Sequence, residues 1–106
     1  MVISQYQIYW TDLEPTRGGE INKTRPCVII SPDEMNKFLR TVLIAPLTHT
    51  IKEYPSRVNC KVNGDTSAIV LDQMRTIDKS RLIKFIDKLN DDTIVRVKSV
   101  INEMLC

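Results

Sequence analysis

Two residues of this chain, Arg25 and Thr48, have side chains suited to holding a phosphodiester, and their spacing permits them to meet. Arg25 precedes Pro26, whose ring pushes the residue before it toward extended geometry. The β-branched run Cys27-Val28-Ile29-Ile30 that follows reads as a buried strand. Thr48 closes a second apolar strand predicted over Thr41 to Leu47. A connection of about ten residues permits these strands to pair antiparallel. If Ser31 pairs near Val42, counting back along both strands brings Arg25 opposite Thr48. A guanidinium offers a fixed fork of donors that matches two phosphate oxygens, and a threonine hydroxyl adds a third donor. RNA carries its own nucleophile, the 2′-hydroxyl. A site that only positions the backbone and stabilises the charge of the phosphorane can therefore cleave RNA without a metal. The competing reading makes Arg25 one half of a surface ion pair and Thr48 an ordinary strand residue.

Other polar groups lie near in sequence. The segment 14–23 contains Pro15 and the pair Gly18-Gly19 and has few apolar anchors, so it reads as a loop beside that rim, and loops carry function more often than core strands. His49 could serve as general acid or base. As the neighbour of Thr48 on a strand, however, it is expected to face the opposite way. Arg75, Lys79, Arg81, Lys84 and Lys88, set against Asp78 and Asp87, form either a phosphate track or a solvated face.

The elements that must position these groups are mostly short strands. Tyr6 to Leu13 and Arg57 to Val62 alternate apolar and polar residues. Asn63-Gly64 is a hairpin signal leading into a strand over Ser67 to Leu71. Ser31-Pro32-Asp33-Glu34 resembles a capping box, with Pro32 in the first helical position of a short helix ending near Leu39. Asp72 to Lys88 is mixed in pattern, with a strand expected near Leu82 to Ile86. A long helix is predicted over Asp91 to Leu105, capped by Asn90, Asp91 or Asp92. Its stripe of Ile94, Val97, Val100, Ile101, Met104 and Leu105 would serve core packing or a dimer contact. The expected fold class is mainly β, a small antiparallel barrel with helices and no internal repeat.

With 106 residues, 42% hydrophobic and 26% charged, the chain fits one globular domain over residues 1–106. The net charge of +2 is too small to argue for nucleic acid by itself. Three scattered cysteines, Cys27, Cys60 and Cys106, and one histidine argue against a zinc site and a disulfide framework. They suggest reduced thiols in a cytoplasmic protein. Neither a secretory signal nor an apolar stretch of roughly 20 residues is present, so no membrane association is expected.

Four blocks, in order, resemble the MazF/PemK toxin family. They are Ile8-Tyr9-Trp10-Thr11-Asp12-Leu13-Glu14-Pro15 with Gly18-Gly19-Glu20, then Lys23 to Pro32, then Ala45-Pro46-Leu47-Thr48, then Leu71 to Lys79 with Arg81-Leu82. The resemblance spans nearly the whole chain. It implies an SH3-like barrel of the CcdB/MazF/PemK type with a C-terminal α-helix, built as a homodimer. It also implies a sequence-specific endoribonuclease that cuts single-stranded mRNA, leaves 2′,3′-cyclic phosphate and 5′-hydroxyl ends, needs no cofactor or metal, and is blocked by a MazE-like antitoxin with an acidic tail. Carried over by position, Arg25 and Thr48 fall on the catalytic pair, Glu20 on a loop glutamate linked to activity, and Gln73 and Arg75 near the RNA groove. Thr16, Arg17 and Gly18 of the loop are the further expected RNA contacts, and the loop 14–23 is a candidate gate that orders on RNA. Some branches of the family carry a first-loop histidine and an arginine where this chain has Gly19 and Val70. A histidine-dependent scheme therefore does not carry over, whereas the Arg/Thr pair is intact.

Two rival functions share the fold. A CcdB-like topoisomerase poison would cleave nothing and would end in a tryptophan-containing tail, whereas this chain ends Glu103-Met104-Leu105-Cys106 and its one tryptophan is Trp10. A non-catalytic barrel that binds RNA or protein would have no need of Arg25 and Thr48.

Overall fold

A computed structural model describes residues 2–13 and 24–106. Among these residues, seven strands and two α-helices run in the order β1 (Gln7–Asp12), β2 (Thr24–Ile29), α1 (Asp33–Phe38), β3 (Thr41–Thr48), β4 (Arg57–Val62), β5 (Asp65–Val70), β6 (Arg75–Asp78), β7 (Leu82–Lys88) and α2 (Asp91–Leu105). The strands form one antiparallel sheet in the order β4-β5-β3-β2-β1-β7, with β6 paired to β3. The mainly-β class, the antiparallel pairing and the C-terminal helix of the expected barrel fold are all present.

β3 organises the sheet. One edge pairs with β2 through Cys27↔Pro46, Val28↔Ala45 and Ile29↔Ile44. The other edge pairs first with β6, from Thr41↔Asp78 to Ile44↔Arg75, and then with β5, through Leu47↔Ile69 and Thr48↔Ala68. Ala45 and Pro46 lie where that edge changes partners. Proline has no N–H to give a ladder, so a residue beside the gap between two ladders is a position it tolerates.

The central strands are buried on both faces, which is why their sequences are continuous apolar runs. One core cluster gathers Ile8, Val28, Ala45, Leu47, Val58 and Ile69 against Ile94, Val97, Val100 and Ile101 of α2. The other gathers Tyr9, Cys27, Ile29, Val42, Ile44 and Ile77. Neighbours in one strand, such as Ile8 and Tyr9, thus feed different cores, as a period of two requires. The Asn90 side chain accepts from the Thr93 amide and caps α2 as expected. Met104 and Leu105, at the end of the predicted stripe, stay exposed. Among the described residues no helix is long and apolar enough to cross a membrane.

Ser31 does not cap α1. Its hydroxyl donates to Asn36 Oδ1 and accepts from the Leu43 amide at 3.1 Å, while Asn36 Nδ2 donates to the Ser31 carbonyl at 2.8 Å. Both side chains are buried, and a buried hydroxyl committed to the neighbouring strand cannot also serve the helix end. Pro32 flanks the helix, and Asp33 is its first residue. β6 was missed because it is four residues long with only Ile77 buried. β5 begins two residues earlier than predicted because the tight turn lets Asp65 pair with Val62 at once.

In that turn Asn63 has φ 50° and Gly64 φ 87°, the left-handed pair a two-residue hairpin loop requires. A Cβ on Gly64 would meet nothing within 4 Å, so only backbone strain opposes a side chain there. We expect Gly64→Ala to destabilise the protein by about 1–2 kcal/mol, read as a shift in the chemical denaturation midpoint with unchanged slope.

Candidate functional site

Arg25 sits in β2 opposite Thr11 of β1. The β2–β3 register, carried two residues beyond Cys27↔Pro46, sets Arg25 across from Thr48, the juxtaposition the spacing predicted. The Thr50 amide donates to Thr48 Oγ1 at 3.2 Å. That bond orients the hydroxyl and leaves its proton available for a ligand.

Two cavities meet at this pair. One, of about 380 Å³, is bordered by Trp10, Arg25, Thr48, His49 and Ser67. The other, of about 400 Å³, is bordered by Arg25, Thr48, Arg57, Gln73 and Arg75. Arg25 and Thr48 belong to both. Among the described residues, three guanidiniums and no carboxylate line these walls. A concave surface with one sign of charge concentrates its field and attracts an anion. Trp10, 42% exposed, adds an aromatic surface of the kind on which single-stranded bases stack.

His49 lines the first cavity together with Thr48, contrary to the expectation that it would face away. Strand pairing ends at Thr48 and the chain bends at His49, so the alternation of a strand no longer applies. Gln73 ends a 3-10 turn over Leu71–Gln73, and Arg75 opens β6 opposite Ile44; both reach the second cavity. The remaining basic residues of the 75–88 segment disperse. Lys79 donates to the Asn36 carbonyl, Arg81 donates to the Asp12 carbonyl at 3.4 Å, and Lys84 and Lys88 lie on β7 opposite Trp10 and Gln7. They form no continuous track with Arg75. Thr16, Arg17, Gly18 and Glu20, and the candidate gate 14–23 as a whole, lie outside the described residues.

Arg57 was not foreseen as a site residue. The one available signal was a basic residue at the head of a strand, as Arg25 also is, though the Arg57 strand alternates whereas the Arg25 strand is a continuous apolar run. Its relevance depends on β4 and β5 folding back beside Thr48.

The cysteines stand apart from this chemistry. Burial pushes the Cys27 thiol up to about 11, against smaller opposing effects of the Thr11 hydroxyl and the Arg25 and Arg75 charges. Burial likewise pushes Cys60 up to about 11. Both thiols are held protonated more firmly in the fold than in the unfolded chain. Their contribution to stability is full below about pH 9, the ordinary thiol value, and is lost as pH rises toward about 11. We expect native protein at neutral pH to leave Cys27 and Cys60 unmodified by an alkylating reagent, with both reacting in denaturant; mass spectrometry of the labelled peptides checks this. Among the described residues no group of three or more His, Cys, Asp or Glu side chains is placed to hold a metal ion.

Comparison with known proteins places these observations in a family. Residues 4–105 match the profile of the PemK-like, MazF-like toxins of type II toxin–antitoxin systems. Endoribonuclease MazF of Staphylococcus saprophyticus is 36% identical over 102 residues, covering 90% of this chain and 84% of that protein. Endoribonuclease EndoA of Bacillus subtilis is 31% identical over 103 residues, covering 92% and 89%. Among solved structures, a MazE–MazF crystal structure from Deinococcus radiodurans superimposes with a TM-score of 0.86 at 23% identity, covering 99% of this chain and 96% of that one.

Proposed function

The chain belongs to the PemK-like, MazF-like toxin family, and on that premise we propose that it is a metal-independent endoribonuclease acting on single-stranded mRNA. The observation that carries this reading is the position of Arg25 and Thr48 as the shared wall of two cavities to which, among the described residues, arginines and no carboxylate contribute. Relatives named endoribonucleases support the activity. The MazE–MazF neighbour supports a MazE-like antitoxin as partner, and a cationic groove suits an acidic tail of such a partner. In this reading the protein is a cytoplasmic homodimer whose residues 1–106 form one toxin domain.

The reaction needs little covalent help from the protein. The 2′-oxygen attacks phosphorus, the bond to the 5′-oxygen breaks, and the products are a 2′,3′-cyclic phosphate and a 5′-hydroxyl. Arg25 grips the scissile phosphate and stabilises the charge that develops on its oxygens, and Thr48 donates to the same group. A guanidinium does not give up its proton in proteins, so Arg25 supplies charge and position. The proton of the 2′-hydroxyl passes to water or to an imidazole such as that of His49, and the departing 5′-oxygen takes up a proton from water or from the imidazolium so formed. Trp10, Gln73 and Arg75 hold the flanking nucleotides, with Thr16, Arg17, Gly18 and Glu20 assigned to the same role from their sequence positions.

The test is incubation of purified protein with a long unstructured RNA in EDTA, followed by sequencing of the fragment ends. We expect discrete cuts at a short motif with 5′-hydroxyl ends. A folded protein that leaves the RNA intact, both in EDTA and with added magnesium, overturns the reading.

A further inference from the structure

Arg57 is built into the second cavity in a way that structural support alone does not explain. Its guanidinium lies over the ring of Tyr54, 4.8 Å from the centroid. Its Nε is 3.7 Å from Asp72 Oδ1, close enough for attraction but too long for a hydrogen bond. That carboxylate oxygen instead accepts from Ser56 Oγ at 2.9 Å. The Arg57 side chain is only 14% exposed, and its Nε is buried without a hydrogen-bond partner among the described residues. The guanidinium thus has a charge partner in Asp72 but lacks a close hydrogen bond there, an unfavourable state for a buried donor, and one reason to keep such a group is a ligand that engages the rest of the guanidinium. Arg57 also forms common wall between the cavity holding Arg25 and Thr48 and a third cavity, of about 530 Å³, bordered by Tyr54, Pro55 and Asn59. Tyr54 itself is 49% exposed.

We propose that Arg57 and Tyr54 form a subsite for the nucleotide flanking the cut: Arg57 binds the RNA phosphate next to the scissile one, and Tyr54 holds the guanidinium flat and offers its ring to the adjacent base. This rests on the ribonuclease reading and adds to it a second phosphate contact outside the Arg25/Thr48 pair. A guanidinium held over an aromatic ring is partly pre-positioned before the ligand arrives. Ser56 restrains Asp72, which in turn keeps Arg57 from swinging away.

The experiment measures binding of an RNA made uncleavable by a 2′-deoxy sugar at the cut site, as a function of salt concentration. Each phosphate contact on a single strand contributes about 0.7 to the slope of log affinity against log salt. We expect Arg57→Gln to lower that slope by about 0.7 and to weaken binding about fivefold at 0.1 M salt. Arg57→Lys, which keeps the charge, should retain most of the slope, and Tyr54→Ala should weaken binding with a smaller change in slope. On cleavable RNA, the rise in KM of Arg57→Gln should exceed its fall in kcat. A folded Arg57→Gln protein with lowered thermal stability but the wild-type slope would show that Arg57 only braces Asp72 and Tyr54, which overturns the subsite. Failure of the wild-type protein to bind the RNA would overturn the ribonuclease reading instead, so the two failures are distinguishable.

Discussion

Arg25→Ala is expected to lower single-turnover cleavage of RNA by at least about 10²–10³-fold, the loss typical when one charge-stabilising donor is removed from a reacting oxyanion. The effect should fall on the chemical step because the developing phosphorane carries more charge than the bound diester, and a bidentate cation responds to that difference. Stability should hardly change. The Arg25 side chain is exposed, so truncating it opens no cavity, and surface substitutions of this kind usually stay within about 0.5 kcal/mol. The β2–β3 register depends on Cys27, Val28 and Ile29 and not on this side chain. Arg25→Lys separates charge from shape: it keeps the cation but loses the planar fork, and should recover only part of the rate. A folded Arg25→Ala protein with unaltered cleavage would remove Arg25 from the mechanism.

Thr48→Val is expected to have the second largest effect, a fall of about 10²-fold in the same assay. Valine reproduces the branched shape and the strand preference of threonine and lacks only the hydroxyl. The substitution therefore deletes a donor to the phosphate while leaving β3 paired to Ala68 of β5. It also takes from the Thr50 amide its acceptor at 3.2 Å. That amide is in an exposed residue and can turn to water, so a gross folding defect is not anticipated. Thr48→Ser supplies the control, since it restores a hydroxyl and should lie within about tenfold of the wild type. If Thr48→Val and Thr48→Ser cleave equally well, the hydroxyl is not a donor in the reaction. If both are equally poor, the methyl group and its packing matter more than the proton.

These expectations concern residues that the sequence already singled out, and the manner in which it did so shows where its reach ends. The run Cys27 to Ile30, the run ending at Thr48 and the short connection between them permitted a register that puts Arg25 opposite Thr48, and the pairing Cys27↔Pro46 is that register. A register shift of one residue would turn every buried side chain of these strands to the other face. The same local logic set α2, whose stripe repeats at helical spacing and whose Asn90 cap lies within three residues of the amide it serves. It also set the Asn63-Gly64 turn, where the backbone requirement belongs to two adjacent residues.

What local periodicity could not determine was which residues from distant segments share a wall. Arg57, Gln73 and Arg75 come from a strand, a 3-10 turn and a four-residue strand, and they meet only because β3 passes from β6 to β5 along one edge. His49 joined Thr48 in one cavity because strand geometry stops at that point, a boundary set by where β5 ceases to pair with β3. Ser31 had the pattern of a helix cap, yet tertiary burial beside Leu43 and Asn36 gave its hydroxyl other partners. The Asn63-Gly64 turn, the long helix and the main strands are decided by the alternation and backbone preferences of neighbouring residues, so the sequence by itself determined them, whereas the β2–β3 register was one it only permitted. The composition of a cavity wall depends on which unrelated segments the sheet brings together, and only the tertiary structure decided that.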